Sequence, residues 1–196
     1  MTCNRALSHF KTNQYHQRCQ MPASKNISPQ LCCINFEYNM PQIELETIIN
    51  ASIEICFDLS RSIDLHKIST AATKEKAIDG TTSGLINLNE FVTWQAIHFG
   101  ISQKLTSTIT QYNRPFHFRD EQLKGPFKYL IHDHYFEATN DAVIMKDIFK
   151  FQSPFGYAGK LTDKIVLFNY LKKLLLKRNE TIKEYAETQK WKSLLQ

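Results

Sequence analysis

EFVTWQAIHFGISQKLTSTITQYNRPFHFRDEQLKGPFKYLIHDHYFEATNDAVIMKDIFKF, residues 90–151, decides the fold of this chain. Apolar and polar side chains alternate through it in five runs: Glu90–Phe99, Ile101–Tyr112, Phe116–Lys124, Phe127–Glu137 and Ala142–Phe151. A period of two is the signature of a half-buried strand. Phe99-Gly100 makes a tight turn between the first two runs. Arg114-Pro115, Gly125-Pro126 and Asn140-Asp141 break the chain before the others, and Pro154 with Gly156 ends the last. Linkers this short join antiparallel neighbours, so the five strands form a meander.

Outward from the meander, the period changes on both sides. Downstream, from Tyr157 to about Thr188, it becomes helical. Leu161, Ile165, Phe168, Leu171 and Leu175 form an apolar stripe, widened by Val166, Leu167, Leu174 and Leu176. The opposite face carries Lys172, Lys173, Lys177, Arg178 and Lys183. A long helix with so broad a stripe must be covered, and a curved sheet is the surface at hand. Upstream, Ile43, Leu45, Thr47 and Ile49 alternate as a further strand. Asn50 is placed to cap a short helix whose face is Ile53, Cys56, Phe57 and Ser60, with Glu54 one position beyond the capping-box site. Ser62 or Asp64 starts a second brief turn through Leu65 and Ile68. The polar, glycine-containing stretch from Thr73 to Gly84 leaves room for one short edge strand around Lys76–Ile78. The expected fold class is α+β: a curved antiparallel sheet of six to seven strands wrapped around a long C-terminal helix, with two short helices after the first strand.

Composition agrees with one globular domain. The chain has 196 residues, 42% hydrophobic, 12% aromatic and 22% charged, values ordinary for a folded protein and too apolar for a disordered one. About 150 residues bury roughly two-thirds of their unfolded surface, enough for a core without a cofactor. No apolar run reaches the ~18–20 residues of a membrane-spanning helix.

The formal charge of +5 is unevenly placed. Residues 1–39 hold Arg5, Lys11, Arg18 and Lys25 against Glu37 alone, and the remaining 20 basic and 18 acidic residues nearly balance. A nucleic-acid binder concentrates basic charge on one face, so no nucleic-acid partner is expected. Cysteines are uneven too: Cys3, Cys19, Cys32 and Cys33 precede the patterned sequence, and only Cys56 lies within it. The odd total and the lack of an apolar leader core in MTCNRALSHFKTNQYHQRCQ point to reduced thiols and a cytoplasmic setting. A zinc set from Cys3, His9, His16 and Cys19 has no paired C-x-x-C spacing to support it.

Residues 1–39 show no helical or strand period. They read as a disordered extension or as sequence ahead of a mis-assigned start, with Met40 as the natural beginning. The expected organisation is an extension over 1–39, a domain over 40–190, and a short tail over 191–196.

The order of strand, two short helices, meander and long C-terminal helix resembles the START/SRPBCC superfamily. The strings that carry the resemblance are INASIEICFDLSRSIDLH (49–66), VTWQAIHFG (92–100), ITQYNRPFHFRDEQLKGPFK (109–128), HDHYFE (132–137) and MKDIFKFQSPFG (145–156). Together they look like bacterial SRPBCC proteins of the polyketide-cyclase-like and cell-division-inhibitor-like branches, over about 150 residues. The resemblance implies a helix-grip fold and a cavity between sheet and helix for a small apolar ligand, with no metal or cofactor. That superfamily includes lipid carriers, hormone receptors, quinone-binding proteins and cyclases, so it does not specify a reaction.

Strand faces nominate the ligand-binding residues. Trp94, Ala96 and His98 share one face with Val92; His132, His134 and Phe136 share another; Val143, Met145, Asp147 and Phe149 share a third. If all face inward, Trp94, His98, His134, Phe136, Met145, Asp147 and Phe149 line the ligand cavity. Its one polar spot would then come from His98, His134 and Asp147. Imidazoles in such places also serve as ordinary hydrogen-bonded core residues, orient ligands, or move protons. His-x-His on a strand puts both rings on one face, and a further His with a carboxylate would complete a zinc set. Register between strands, which decides this, is not written in one sequence, and no metal or catalytic residue is assigned.

Other chemistry has less support. Cys56, on the apolar face of a short helix, reads as a buried inert thiol. There is no Gly-x-Ser-x-Gly elbow, phosphate loop or dinucleotide fingerprint. Arg114, Arg119, Asp120 and Glu121 read as a solvated ionic cluster on an outer sheet face. The helix lysines would attract an anionic membrane surface by about 1 kcal/mol each, but Glu180, Glu184 and Glu187 intervene. Any such contact is weak. The function expected is binding or carriage of a lipid, isoprenoid or polyketide-like molecule. The alternatives are a cyclase or hydratase using the same pocket, and an interaction module without a ligand.

Overall fold

Seven strands form one antiparallel sheet in the order β1-β7-β6-β5-β4-β3-β2. They are β1 (Gln42–Ile49), β2 (Lys76–Gly80), β3 (Phe91–His98), β4 (Ile101–Asn113), β5 (His117–Lys124), β6 (Tyr129–Ala138) and β7 (Val143–Gln152). The computed structural model describes residues 41–154 and 166–195. The expected extension over 1–39 and start at Met40, the Cys3/His9/His16/Cys19 set, and the helical stretch before 166, with Leu161 and Ile165, lie outside the described residues.

The meander is formed as the alternation requires. In β7 every second side chain from Val143 to Phe151 is buried. The β3–β4 hairpin closes by pairing His98 with Ile101. Phe99 at φ 53° and Gly100 at φ 77° make a two-residue turn of the kind whose twist suits a hairpin. The first strand closes the far edge by pairing with β7, Leu45 opposite Asp147 and Thr47 opposite Met145. At the other edge β2 pairs with β3 across a register shift between Ala77 and Asp79.

Between β1 and β2 run α1 (Ile53–Ser60) and α2 (Ile63–Ser69). The cap of α1 is Ser52, which accepts from the Ile55 amide at 3.3 Å, and not Asn50. Asn50 instead gives its own amide to Glu187 on the last helix, at 2.9 Å. Ser62 caps α2 by accepting from Leu65 at 3.2 Å.

The long helix is α3 (Phe168–Glu187), and its buried face departs from the expected stripe. Leu175, Ile182 and Ala186 are buried, but so are Arg178, Asn179 and Thr181. The sequence pattern puts Arg178 on the solvated face, and the structure corrects this. Arg178 lies one turn from both Leu175 and Ile182, so any helix phase that buries those two buries it as well. Phe168 and Leu171 are only half-buried, packed at the margin of a cluster of Ile43, Leu45, Leu130, Phe149, Phe151 and Leu175. After α3 the chain does not trail off. A single 3-10 turn leads into α4 (Lys192–Leu195), and Trp191, Leu194 and Leu195 pack on the main core around Phe57, Ile182 and Ala186. No described helix is long and apolar enough to cross a membrane.

Candidate functional site

A cavity of about 670 Å³ lies between the sheet and α3. Its walls come from α2, from the inward faces of β3 to β7, and from α3. They are mainly apolar: Trp94, Ile109, Phe118, Leu130, Phe149 and Leu175 all contribute. A space this size with this lining suits a small apolar molecule.

Of the side chains nominated from strand faces, Trp94, His98, His134 and Phe149 border the cavity. Phe136 and Met145 share those faces but lie in the packed core. Sharing a face does not set depth along the sheet: α1 covers that end, with Phe57 edge-on to Phe136 at 5.4 Å and Ser60 donating to the Met145 sulfur at 3.4 Å. Asp147 has no exposed surface and sits beneath the two histidines of β6.

The histidines do not converge as one spot. His98 bonds Tyr170 of α3 at 2.7 Å. It neighbours a small group in which the His66 ring packs, tilted, at 4.2 Å against Trp94 and lies 3.3 Å from Glu75. Burial would raise the Glu75 pKa, but the nearby His66 imidazole, Thr70 and His98 together outweigh it and keep the group below the usual range.

The denser cluster sits across β5, β6, β7 and α3. Register places Asp120 opposite His132 and His134 opposite Asp147. Diagonal neighbours on one sheet face are within side-chain reach, which explains the observed bonds. His132 Nε2 meets Asp147 Oδ1 at 2.8 Å, and His134 Nε2 meets Asp120 Oδ2 at 3.1 Å. His134 Nδ1 lies 2.9 Å from the same Asp147 oxygen but off the hydrogen-bond line. From α3, Asn179 donates to Asp147 Oδ2 at 2.7 Å, and Arg178 Nη1 lies 3.5 Å from Oδ1. Arg178 also donates to the Ser60 carbonyl at 2.7 Å.

Burial and the adjoining His134 ring push His132 down to about 4, so it is neutral near pH 7. Burial opposes ionisation of Asp147, yet the His132 and His134 contacts prevail and hold it well below the usual carboxylate range. Burial likewise opposes ionisation of Asp120, and it too is held low, chiefly by His134. It keeps 24% of its side chain exposed, and it borders the cavity, as do His132, His134 and Arg178. One ligand atom each from Asp120, His132 and His134 lies within 4.8 Å of the others.

The sequence pattern groups Asp120 with an outer ionic cluster, and the structure separates that set. Arg119 does face outward, in a two-point bond to Asp133 at 2.7 and 2.9 Å. Arg114 pairs with Asp58 at 2.7 Å. Asp120 points the other way, as its spacing of two from buried Phe118 requires. Arg178 and Asn179 carry a similar signal, being in phase with Leu175 and Ile182. Cys56 is fully buried, and burial pushes its thiol up to about 12, where it is neither nucleophile nor ligand.

No protein-family model and no curated protein matches the chain. Solved structures do. A START superfamily protein from Mycobacterium smegmatis superposes with a TM-score of 0.56 at 11% identity, covering 73% of this chain and 97% of that one. The major latex-like protein 151 of Panax ginseng gives 0.57 at 13% identity, over 76% and 99%. A protein of Thermus thermophilus gives 0.58 at 14% identity, over 72% and 97%. The fold is therefore the START-like helix-grip fold, with seven strands. At these identities the likeness carries architecture and not chemistry.

Proposed function

We propose that this helix-grip protein binds or carries a small hydrophobic molecule, of lipid, isoprenoid or polyketide type, in the cavity between sheet and α3. The observation that supports the reading is the cavity itself: about 670 Å³, walled by apolar side chains, with charged groups confined to particular spots. Trp94 and Phe149 supply apolar contact in this scheme, and His98 and His134 orient a polar end. Native mass spectrometry of freshly purified full-length protein tests it. A co-purified apolar molecule, released on denaturation, is the expected result. Failure of Trp94 emission to respond to a panel of fatty acids, isoprenoids and aromatic polyketides, with no co-purified mass, would refute ligand binding and favour an interaction module.

A second reading, a cyclase or hydratase using the same cavity, has one observation in its favour. Asp147 orients the neutral imidazole of His132, and Asp120 and His134 border the cavity. A positioned imidazole–carboxylate pair is the equipment of general acid–base chemistry. Turnover of a bound polyketide-like substrate that is lost in His134→Gln, with binding retained, would select this reading.

A further inference from the structure

The contacts around Asp120, His132 and His134 leave too few protons to go round. Four nitrogen-to-carboxylate approaches join these residues and Asp147: 2.8 and 3.8 Å from His132, 2.9 and 3.1 Å from His134. Two neutral imidazoles carry two N–H groups between them. His132 Nε2 gives one to Asp147, and His134 Nε2 gives the other to Asp120. His134 Nδ1 then turns a lone pair toward Asp147 Oδ1 at 2.9 Å and has no hydrogen-bond partner. Acceptor faces acceptor there, in a cluster where His134 is 1% and His132 7% exposed. A cation in place of the proton between His134 Nε2 and Asp120 frees the ring to carry its proton on Nδ1, toward Asp147. Adding protons satisfies the hydrogen bonds only by creating buried imidazolium charge beside Arg178.

We propose that Asp120, His132 and His134 bind one divalent first-row transition-metal ion, such as zinc or ferrous iron, at the wall of the cavity. Ligands bonded to such an ion at about 2.0–2.1 Å stand roughly 3–3.5 Å apart in tetrahedral or octahedral arrangement. Of the separations of Asp120 Oδ2 from His134 Nε2 and His132 Nδ1, 3.1 Å falls within that range and 3.8 Å a few tenths of an ångström above it. Two histidines and one carboxylate are a donor set for iron or zinc with positions left open. The open side here is the apolar cavity.

Asp147 supplies what such a site needs behind its ligands. Metal-binding histidines give their second ring nitrogen to a carboxylate, which sets the tautomer and the ring orientation. Asp147 does this for His132 at 2.8 Å, and stands 2.9 Å from His134 Nδ1, where a small ring rotation would complete the second bond. It is itself held by Asn179 at 2.7 Å and by Arg178. Charge does not oppose the site: two carboxylates and one guanidinium sum to −1 with neutral imidazoles, so a divalent ion enters a net negative cluster. The inference stands on this cluster whether or not an apolar molecule fills the cavity.

Titration of chelator-stripped, full-length protein with cobalt(II), which takes zinc sites and reports its ligands by visible absorption, tests the site. One equivalent should bind with ligand-field bands and no thiolate-to-cobalt charge transfer. Asp120→Asn and His132→Gln should weaken binding at least 10-fold, Asp147→Asn by about 10–100-fold, and His98→Gln not at all. The wild-type spectrum decides even if a variant fails to fold. No bound equivalent, or charge-transfer bands marking the cysteines as ligands, would overturn the proposal. So would folded Asp120→Asn and His132→Gln proteins that bind cobalt(II) as wild type does.

Discussion

Arg178 of α3 donates a 2.7 Å hydrogen bond to the main-chain oxygen of Ser60 at the end of α1, 118 residues earlier, in a buried setting. The same guanidinium approaches Asp147 at 3.5 Å. One side chain thus ties the long helix both to α1 and to the sheet beneath it. Arg178→Ala strands a buried carbonyl and removes the cation next to a buried carboxylate, so a loss of about 3 kcal/mol is expected. Arg178→Lys should recover only part of it, because an ammonium cannot reach two partners in fixed directions. Urea denaturation of both variants checks this. A loss below ~0.5 kcal/mol in Arg178→Ala, the scale of surface substitutions, would show that the bond contributes nothing.

The helix core lies nearer its C-terminal half than its apolar stripe suggested. Ile182 is 1% exposed and Phe168 is half-buried. Ile182→Ala should therefore cost about 2–5 kcal/mol, the range for a truncated core aliphatic, and Phe168→Ala clearly less. Chemical denaturation of the pair checks the order. The reverse order would mean that the helix is rotated from the phase described.

Asp58 accepts from Arg61 at 2.9 Å and from Arg114 at 2.7 Å. Burial would raise its pKa, but these two partners outweigh it and depress the value. A depressed carboxylate contributes stability that is fully present above its unfolded value, near 3.9, and lost as pH falls through the folded value. Wild type should exceed Asp58→Asn in stability at pH 6–7, and the gap should close below about pH 4. A gap that persists unchanged at acid pH would assign the effect to packing.

Cys56 gives a chemical check on the core. With no exposed surface and its thiol near 12, it should resist iodoacetamide at about pH 8 in the folded protein and react after denaturation. Peptide mapping reads this directly. Rapid native labelling would place α1 away from the sheet.

Ala96 is buried and borders the cavity midway along β3. In Ala96→Phe the added ring should enter the empty volume. In a packed interior the overpacking would instead cost about 1–3 kcal/mol. The expected result is near-native stability with weakened uptake of the apolar panel, read by Trp94 emission in a Trp191→Phe background. Met145, enclosed with no exposure, should behave oppositely, and Met145→Trp should destabilise.

Period-two alternation, broken by Gly and Pro, was enough to mark the strands of residues 90–151 to within a residue or two. It also marked which side chains share a face, as Val92, Trp94 and Ala96 do, or His132, His134 and Phe136. These are local properties, set by the backbone geometry of one strand. The presence of a long helix after the meander was likewise legible from its apolar content. Register between strands and the rotation of α3 were not. A sliding of β5 by one residue would turn Asp120 away from both histidines. A small rotation of α3 would exchange Arg178 and Asn179 for lysines. Those two choices depend on how distant segments pack, and on buried polar groups whose cost is offset only by partners contributed from elsewhere in the chain. Hydrophobicity along the sequence therefore placed Arg178 in solvent and Asp120 on the outer face. Tertiary structure alone brought Asp120, His132, His134, Asp147 and Arg178 together, because only there do the charges that bury one another meet.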